Sequence, residues 1–548
     1  MSLSALFDIG RSGIFANQLA LRVASNNIAN VNTPGYSRQD VIMQIANPVQ
    51  LQGNYLGRGV GDVEIRRHFD NFIYYQILGQ SNNYGRSYSL ERGLSNIEQV
   101  FNENQGFGLL NSMQEYFNAW QDVANNPHET AQRSALLTKA GAFVNVARQI
   151  EGEIKNTLKY INDEVVDIVK QINILSKNIA ELNGKVMEIE AGGGAVANVY
   201  RDQREAMMKD LAELIDYDWN EDKDGTVTVV AGRRSIITGV VSSDLSTALN
   251  LEGDRDVYNG GVKVTSFIQG GELGGFISVR DDIKTNALLS LRKMIASVIQ
   301  ETNDLHAYSL ANPTYDLDGN QGTNFFSALQ LFTRDDTPGG SSAGITSSSI
   351  VDASPSVLTL DQYDIDFVDA LNYEIRNHDT GALVANGAYN PAGTTLTFNG
   401  IEVVISGAAA ANDTFFVSPL QTVIQNFSVN VTNGRQVAAA QSASPGDNTN
   451  ALDIIARYSS DITNLNNDSF TDYYSEIVTI TGSLTKAARD SLEYDDNLLF
   501  ELNNRRDSVS GVSLDEEAAN IIRYQRAFEA GARIIKLTDE LMELIINL

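Results

Sequence analysis

Residues 26–38, "NNIANVNTPGYSR", decide how this chain is read. They hold four asparagines, a Thr-Pro-Gly step and a single positive charge, directly behind an apolar run. Asparagine tolerates left-handed backbone and can end a helix. Pro34 pushes Thr33 toward extended geometry, and Pro34-Gly35 suits the two central positions of a type II turn. The segment therefore stops a helix predicted for the first 31 residues and turns the chain outward. Its asparagines can donate and accept without adding charge, so it is expected to run against neighbouring molecules.

Upstream, Phe7, Gly10, Ile14, Asn17, Leu21, Ala24, Ile28 and Val31 recur at helical spacing, as do Ala5, Ile9, Ser12, Ala16, Leu19 and Val23. Two such rows predict two buried faces. The far end mirrors this. One row runs Leu514, Ala518, Ile521, Gln525, Phe528, Ala532, Ile535, Asp539, Met542 and Ile546, and another joins Ile534, Leu537, Leu541, Leu544 and Leu548. Ser513 and Glu516 form a capping-box pattern that would start this helix. Ends with unused apolar faces should pack on each other and on other molecules.

Between the ends, Leu158, Ile161, Val165, Ile168, Ile172, Leu175, Ile179 and Leu182 predict a long helix. Ala287 to Leu305 and Ile477 to Leu498 predict two more, enough for a bundle. Asp224-Gly225 predicts a hairpin within this region, and Gly192-Gly193-Gly194 a loop. From about 311 to 420, Gly, Thr, Ser, Asn and Asp rise, and "TTLTFNGIEVVISG" (394–407) predicts a hairpin turning at Asn399-Gly400. The fold class is mainly α with β insertions (α+β). Three parts are expected: residues 1–35 with 510–548 as a terminal, coiled-coil-like helical layer; 36–310 with 421–509 as a helical bundle with a small sheet; and 311–420 as a β-rich insertion.

The chain has 548 residues, no cysteine, and a net charge of −29 from 69 acidic and 40 basic residues. That charge argues against binding to nucleic acid or an anionic membrane surface. Without cysteine there is no disulfide framework or thiolate metal site. The N-terminus lacks a basic-then-apolar signal, and no apolar run is long enough to insert in a membrane. His68, His128, His306 and His378 have no partner at metal-ligand spacing. "DLDGNQG" (316–322) starts like a calcium loop, then places Gln321 and Ser327 where glycine and glutamate are required. "GRGVG" (57–61) lacks the third glycine of a dinucleotide fingerprint. No catalytic, metal or cofactor site is expected, and the chain reads as interaction surface rather than enzyme.

"SNNIANVNTPGYSRQ" (25–39) resembles the N-terminal motif of bacterial flagellar axial proteins, and residues 510–548 resemble their C-terminal motif. "YFNAWQDVANNPHETAQRSALL" (116–137), "INILSKNIAELN" (172–183), "RDQREAMMKDLAEL" (201–214), "GGELGGFISVRDD" (270–282), "DLDGNQGTNFF" (316–326) and "ANDTFFVSP" (411–419) narrow the resemblance to the hook-associated protein 1 (hook-filament junction) family. Glu205 stands where that family more often has Asp.

The resemblance implies a structural subunit between hook and filament, exported unfolded by the flagellar type III apparatus without a cleaved signal. Its implied partners are hook protein, the second hook-filament junction protein, further copies of itself in a ring-like layer, and a dedicated export chaperone. The inner helices would be built on Leu19, Val23, Ile28, Ile521, Phe528, Ile535, Leu541 and Leu544. The axial motif would be Asn27, Asn30, Asn32, Thr33, Pro34, Gly35 and Tyr36. Phe528, Ile535, Leu537, Leu541 and Leu544 are the chaperone-binding candidates. The rivals are another axial protein, of hook or distal-rod type, and a secreted coiled-coil adhesin.

Overall fold

The computed structural model describes residues 3–51, 54–102, 108–192, 196–338, 340–444 and 446–546. Gly193, Gly194 and Leu548 lie outside them. Eleven α-helices are described: α1 (Leu3–Ala29), α2 (Asn71–Val100), α3 (Leu109–Asn125), α4 (Thr130–Glu190), α5 (Asn198–Leu214), α6 (Gly271–Asp282), α7 (Leu289–His306), α8 (Val423–Asn426), α9 (Thr449–Arg457), α10 (Phe470–Ser510) and α11 (Leu514–Ile546). The repeat at 158–182 falls in the second half of the 61-residue α4. A π-helical turn, Ile283–Leu288, joins α6 to α7.

The chain groups into two compact units. The first comprises residues 1–92, 161–279 and 487–548, and the second 93–160 and 280–486. Both terminal helices belong to the first unit, and the whole of 311–420 belongs to the second. The expected middle part is shared between them.

In the first unit, β1 (Gln39–Ile45) pairs antiparallel with β4 (Val60–Arg67), and β2 (Val49–Leu51) with β3 (Asn54–Leu56). A four-stranded sheet follows in the order β5 (Asp218–Glu221), β6 (Val227–Ala231), β7 (Arg234–Thr238), β8 (Val241–Ser242). Then β9 (Leu245–Leu249), β10 (Arg255–Asn259) and β11 (Val262–Lys263) form a third antiparallel group. The β5–β6 turn is the expected one, with Gly225 at φ 80°. Ile73 and Ile77 of α2 pack with Leu502 of α10, while Tyr74 and Leu78 pack with Ala212 of α5. Gly85 permits this approach: a Cβ there would lie 1.9 Å from the Glu213 carbonyl oxygen.

The second unit holds a five-stranded sheet in the order β12 (Phe332–Asp336), β19 (Thr414–Ser418), β14 (Tyr363–Asp369), β15 (Asn372–Asn377), β16 (Leu383–Ala388). Beside it in sequence are β13 (Gly344–Ile350), β18 (Ile401–Ser406) and β17 (Thr394–Phe398), in that spatial order. Asn399 and Gly400 both have positive φ (44° and 76°), as a type I′ hairpin requires. The helical part of this unit closes around fully buried Tyr116, Trp120, Phe143, Phe325, Phe326, Phe427 and Phe470. Two of the stretches quoted for the family resemblance are thus core sequence.

His306 sits in that aromatic cluster, 5.3 Å from the Phe325 ring and 6.1 Å from Trp120, centroid to centroid. Its Nδ1 donates to the Thr323 carbonyl, and its Nε2 accepts the Ala438 N–H at 2.8 Å. Those partners require the neutral ring, and burial pushes its pKa down to about 4. The stability from neutral His306 is fully present above the unfolded pKa of about 6.5. It is lost as pH falls from there toward 4. Calorimetry should show the second unit losing on the order of 2 kcal/mol between pH 6.5 and 5. His306→Gln should flatten that limb while lowering stability at pH 7.

Candidate assembly interface

α1 and α11 lie antiparallel, and glycine sets their separation. A Cβ on Gly10 would come 2.9 Å from Ile535 Cγ1 and 3.4 Å from the Gly531 carbonyl oxygen. A Cβ on Gly531 would come 2.9 Å from Ile14 Cγ1 and 3.4 Å from the Gly10 carbonyl oxygen. The backbones therefore meet where neither helix carries a side chain. Ala16, Ala20 and Ala24 continue the small, buried face of α1. Thr538 is buried on α11, its hydroxyl turned back onto the Ile534 carbonyl at 2.7 Å.

Of the expected inner-helix residues, Val23 is buried, while Leu19, Ile28, Ile521, Phe528 and Ile535 are half-buried. Leu537, Leu541 and Leu544 remain 56%, 42% and 61% exposed. Phe15 on α1 is 64% exposed, although it belonged to neither predicted row. One face of each helix is covered within the chain, and the other is not.

At the end of α1 the chain turns as the sequence indicates. The Tyr36 N–H bonds to the Thr33 carbonyl at 3.2 Å across Pro34-Gly35, and Gly35 has φ 78°. Asn27 departs from expectation: it is fully buried and works inside the chain. Its Nδ2 donates to the Gln39 carbonyl at 2.8 Å, and its Oδ1 accepts from the Gln39 N–H at 3.1 Å and the Tyr36 hydroxyl at 2.8 Å. The side chain mimics a backbone strand and holds the entry to β1. Burial pushes the Tyr36 hydroxyl up to about 12, keeping it a donor. Asn30 accepts from the Thr33 hydroxyl at 3.2 Å, and Asn32, Thr33 and Pro34 are exposed. Asn30, Thr33, Pro34 and Tyr36 line a cleft of about 490 Å³ with Arg38 and Glu516.

Arg38 ties the turn to the start of α11. It reaches Glu516 at 2.6 Å and the fully buried Glu517 at 3.0 Å, and its N–H bonds the Ser510 carbonyl. Burial opposes its charge, but Glu516, Asp40 and Glu517 outweigh that and hold its pKa up. Ser513 does cap α11, accepting the Glu516 N–H at 3.4 Å, and the Glu516 carboxylate goes to Arg38.

The stretch "RDQRE" (201–205) on α5 completes the arrangement. Asp202 accepts the Ser37 N–H at 3.1 Å and pairs with Arg67 at 2.9 Å. Glu205 takes the other side of the Arg67 fork, at 2.5 and 2.7 Å. Arg67 also lies 4.2 Å over the Phe69 ring. Burial raises the pKa of both carboxylic acids, and Arg67 works against that. Arg201 pairs with Glu190 and Glu221, and buried Arg204 donates to Asn183 and the Gly225 carbonyl. Arg38, Arg67, Asp202 and Glu205 were not among the predicted site residues. "RDQRE" was visible as a motif, but Arg67, the partner of its two carboxylates, lies more than 130 residues upstream. No group of residues suited to hold a metal ion occurs among the described residues.

Residues 94–326 match the family described as "Flagellar hook-associated protein FlgK helical domain". Residues 7–36 match "Flagella basal body rod protein", and 506–548 match "Flagellar basal body rod FlgEFG protein C-terminal". Flagellar hook-associated protein 1 of Salmonella typhimurium is 27% identical over 571 aligned residues spanning all of both chains. The likeness is to flagellar hook-associated protein 1, over the full length of the chain. The Escherichia coli protein of the same name is also 27% identical, again over the whole of both chains. The fold agrees with the solved structure of the flagellar hook junction protein FlgK from Burkholderia pseudomallei. The TM-score is 0.69 at 17% identity, over 79% of this chain and all of that one.

Arg67→Met should leave Asp202 and Glu205 buried without their cation, costing the first unit on the order of 3–5 kcal/mol in denaturant unfolding. Arg67→Lys should recover only part of the loss, because an ammonium cannot reproduce the two-pronged contact.

Proposed function

We propose that this chain is a structural subunit of the bacterial flagellum, forming the layer that joins hook to filament and allows the filament to start. The observation that carries this reading is the outer face of the paired terminal helices, where Phe15, Leu537, Leu544 and Ile546 are 64%, 56%, 61% and 81% exposed. Exposed apolar side chains on this scale belong to surfaces that become covered. No helix among the described residues is long and apolar enough to cross a membrane. The cover proposed is a packed helical layer. Within it, 1–35 with 510–548 act as the inner helical part and 311–420 as the outward-facing insertion.

The same reading covers export and partners. A chain without cysteine forms no disulfide that would hinder unfolded passage through the flagellar type III apparatus. Before assembly, the face from Phe528 and Ile535 through Leu537 and Leu541 to Leu544 is the surface a dedicated chaperone would shield. Hook protein below, the second junction protein above and copies of this chain alongside are the partners in the finished structure. The chain acts outside the cell and catalyses nothing.

Cells lacking the protein should carry bare hooks and release filament protein into the medium, as seen by electron microscopy and immunoblotting. Normal filaments in those cells would refute the role. Gly531→Val, which forces the terminal helices apart, should abolish filament attachment while the second unit keeps its melting temperature.

A further inference from the structure

The outer face of α1 is a regular seam. Its exposed residues include Phe7, Arg11, Phe15, Gln18, Arg22 and Ser25, spaced by threes and fours. Phe7 and Phe15 are 38% and 64% exposed, and Arg11 between them reaches only as far as Asp8 on its own helix, at 3.5 Å. That is an apolar, basic, apolar order along one face. The last turns of α11 have the complementary order: Leu537, then Glu540 and Leu541, then Leu544, flanked by Asp539 and Glu543. Glu540 lies 3.9 Å from Lys536 in an exposed pair of little energetic weight.

The two patterns also match in length. At 1.5 Å per residue, Phe7 to Phe15 spans about 12 Å and Leu537 to Leu544 about 10.5 Å. Within one chain they cannot meet, because Gly10 beside Ile535 sets a register that carries α11 past the start of α1.

We infer that the end of α11 in one copy lies antiparallel on the outer face of α1 in a second copy. Phe7 then meets Leu544, Arg11 meets Glu540, and Phe15 meets Leu537. The contact is head-to-tail: each copy offers one surface and receives the other, so it propagates through a layer. Copies that each carry a charge of −29 repel, and Arg11 is the exposed cation of α1 that this register sets against the acidic end of α11. This inference rests on the assembly role proposed above and adds the surfaces and the register by which neighbouring copies meet.

The absence of native cysteine makes the test clean. Phe15→Cys and Leu537→Cys chains with different tags are co-expressed in cells lacking the native protein. Flagella are isolated, oxidised and probed for both tags. A mixed disulfide dimer is expected, and neither variant expressed alone should dimerise. Both tags present at the hook tip with no mixed dimer would overturn the inference while leaving the assembly role intact. Tags absent from the hook tip of cells that swim normally would instead refute the role itself. In a second measurement, Arg11→Glu and Glu540→Arg should each lower the fraction of flagellated cells about tenfold, and the double variant should restore it to within about twofold. A double variant no better than either single one would also overturn the pairing.

Discussion

The meeting of Gly10 and Gly531 is the constraint on which the first unit depends. Two helices from opposite ends of the chain come close enough that one added carbon on either would press on an isoleucine of the other. The register fixed there decides which side chains of α1 and α11 are covered and which remain outside. It also delivers the start of α11 to the end of α1, where Arg38 gathers Glu516 and Glu517. The turn at 33–36 then has a firm base on both sides, with Asp202 holding the Ser37 amide from α5.

Charge is organised around that base in a way that composition alone conceals. The chain is strongly acidic, yet several of its buried carboxylates in the first unit are arranged about arginines. Arg67 serves Asp202 and Glu205, Arg201 serves Glu190 and Glu221, and Arg38 serves the first turn of α11. Such sites add conformational definition more than net stability, since desolvation offsets much of the Coulomb gain. They tie segments far apart in sequence into one arrangement. The second unit uses different means: an aromatic core from Tyr116 to Phe470 and one neutral histidine with both ring nitrogens engaged.

Much of this was legible in the sequence where the signal was periodic or local. The helical rows of α1, α4, α10 and α11, the turn at Pro34-Gly35 and the hairpins at Asp224-Gly225 and Asn399-Gly400 follow from spacing and turn chemistry. Long-range pairing was not legible. Nothing local tells Asn27 to face inward onto Gln39, or Arg67 to divide its guanidinium between two residues of α5. Gly10 looked like an ordinary member of a helical row and Gly531 stood in none, because a close approach shows only when both helices are in place. Phe15 stood outside both rows, although it shares the open face of α1 with Phe7. The apolar residues of the candidate interface were thus visible by type, and the polar residues that orient it were not.

The antiparallel pairing of α1 with α11 also has a consequence for the order of folding. Gly10 cannot find Gly531 until the chain is nearly complete, so the helix made first acquires its partner last. Closing a loop of that length carries a large entropic cost, and contacts so distant in sequence form slowly. Segments such as α5 with its sheet, or the Asn399-Gly400 hairpin, have their partners within reach long before. The terminal pair is therefore the final step of maturation, and until then α1 remains an adhesive strip without its mate.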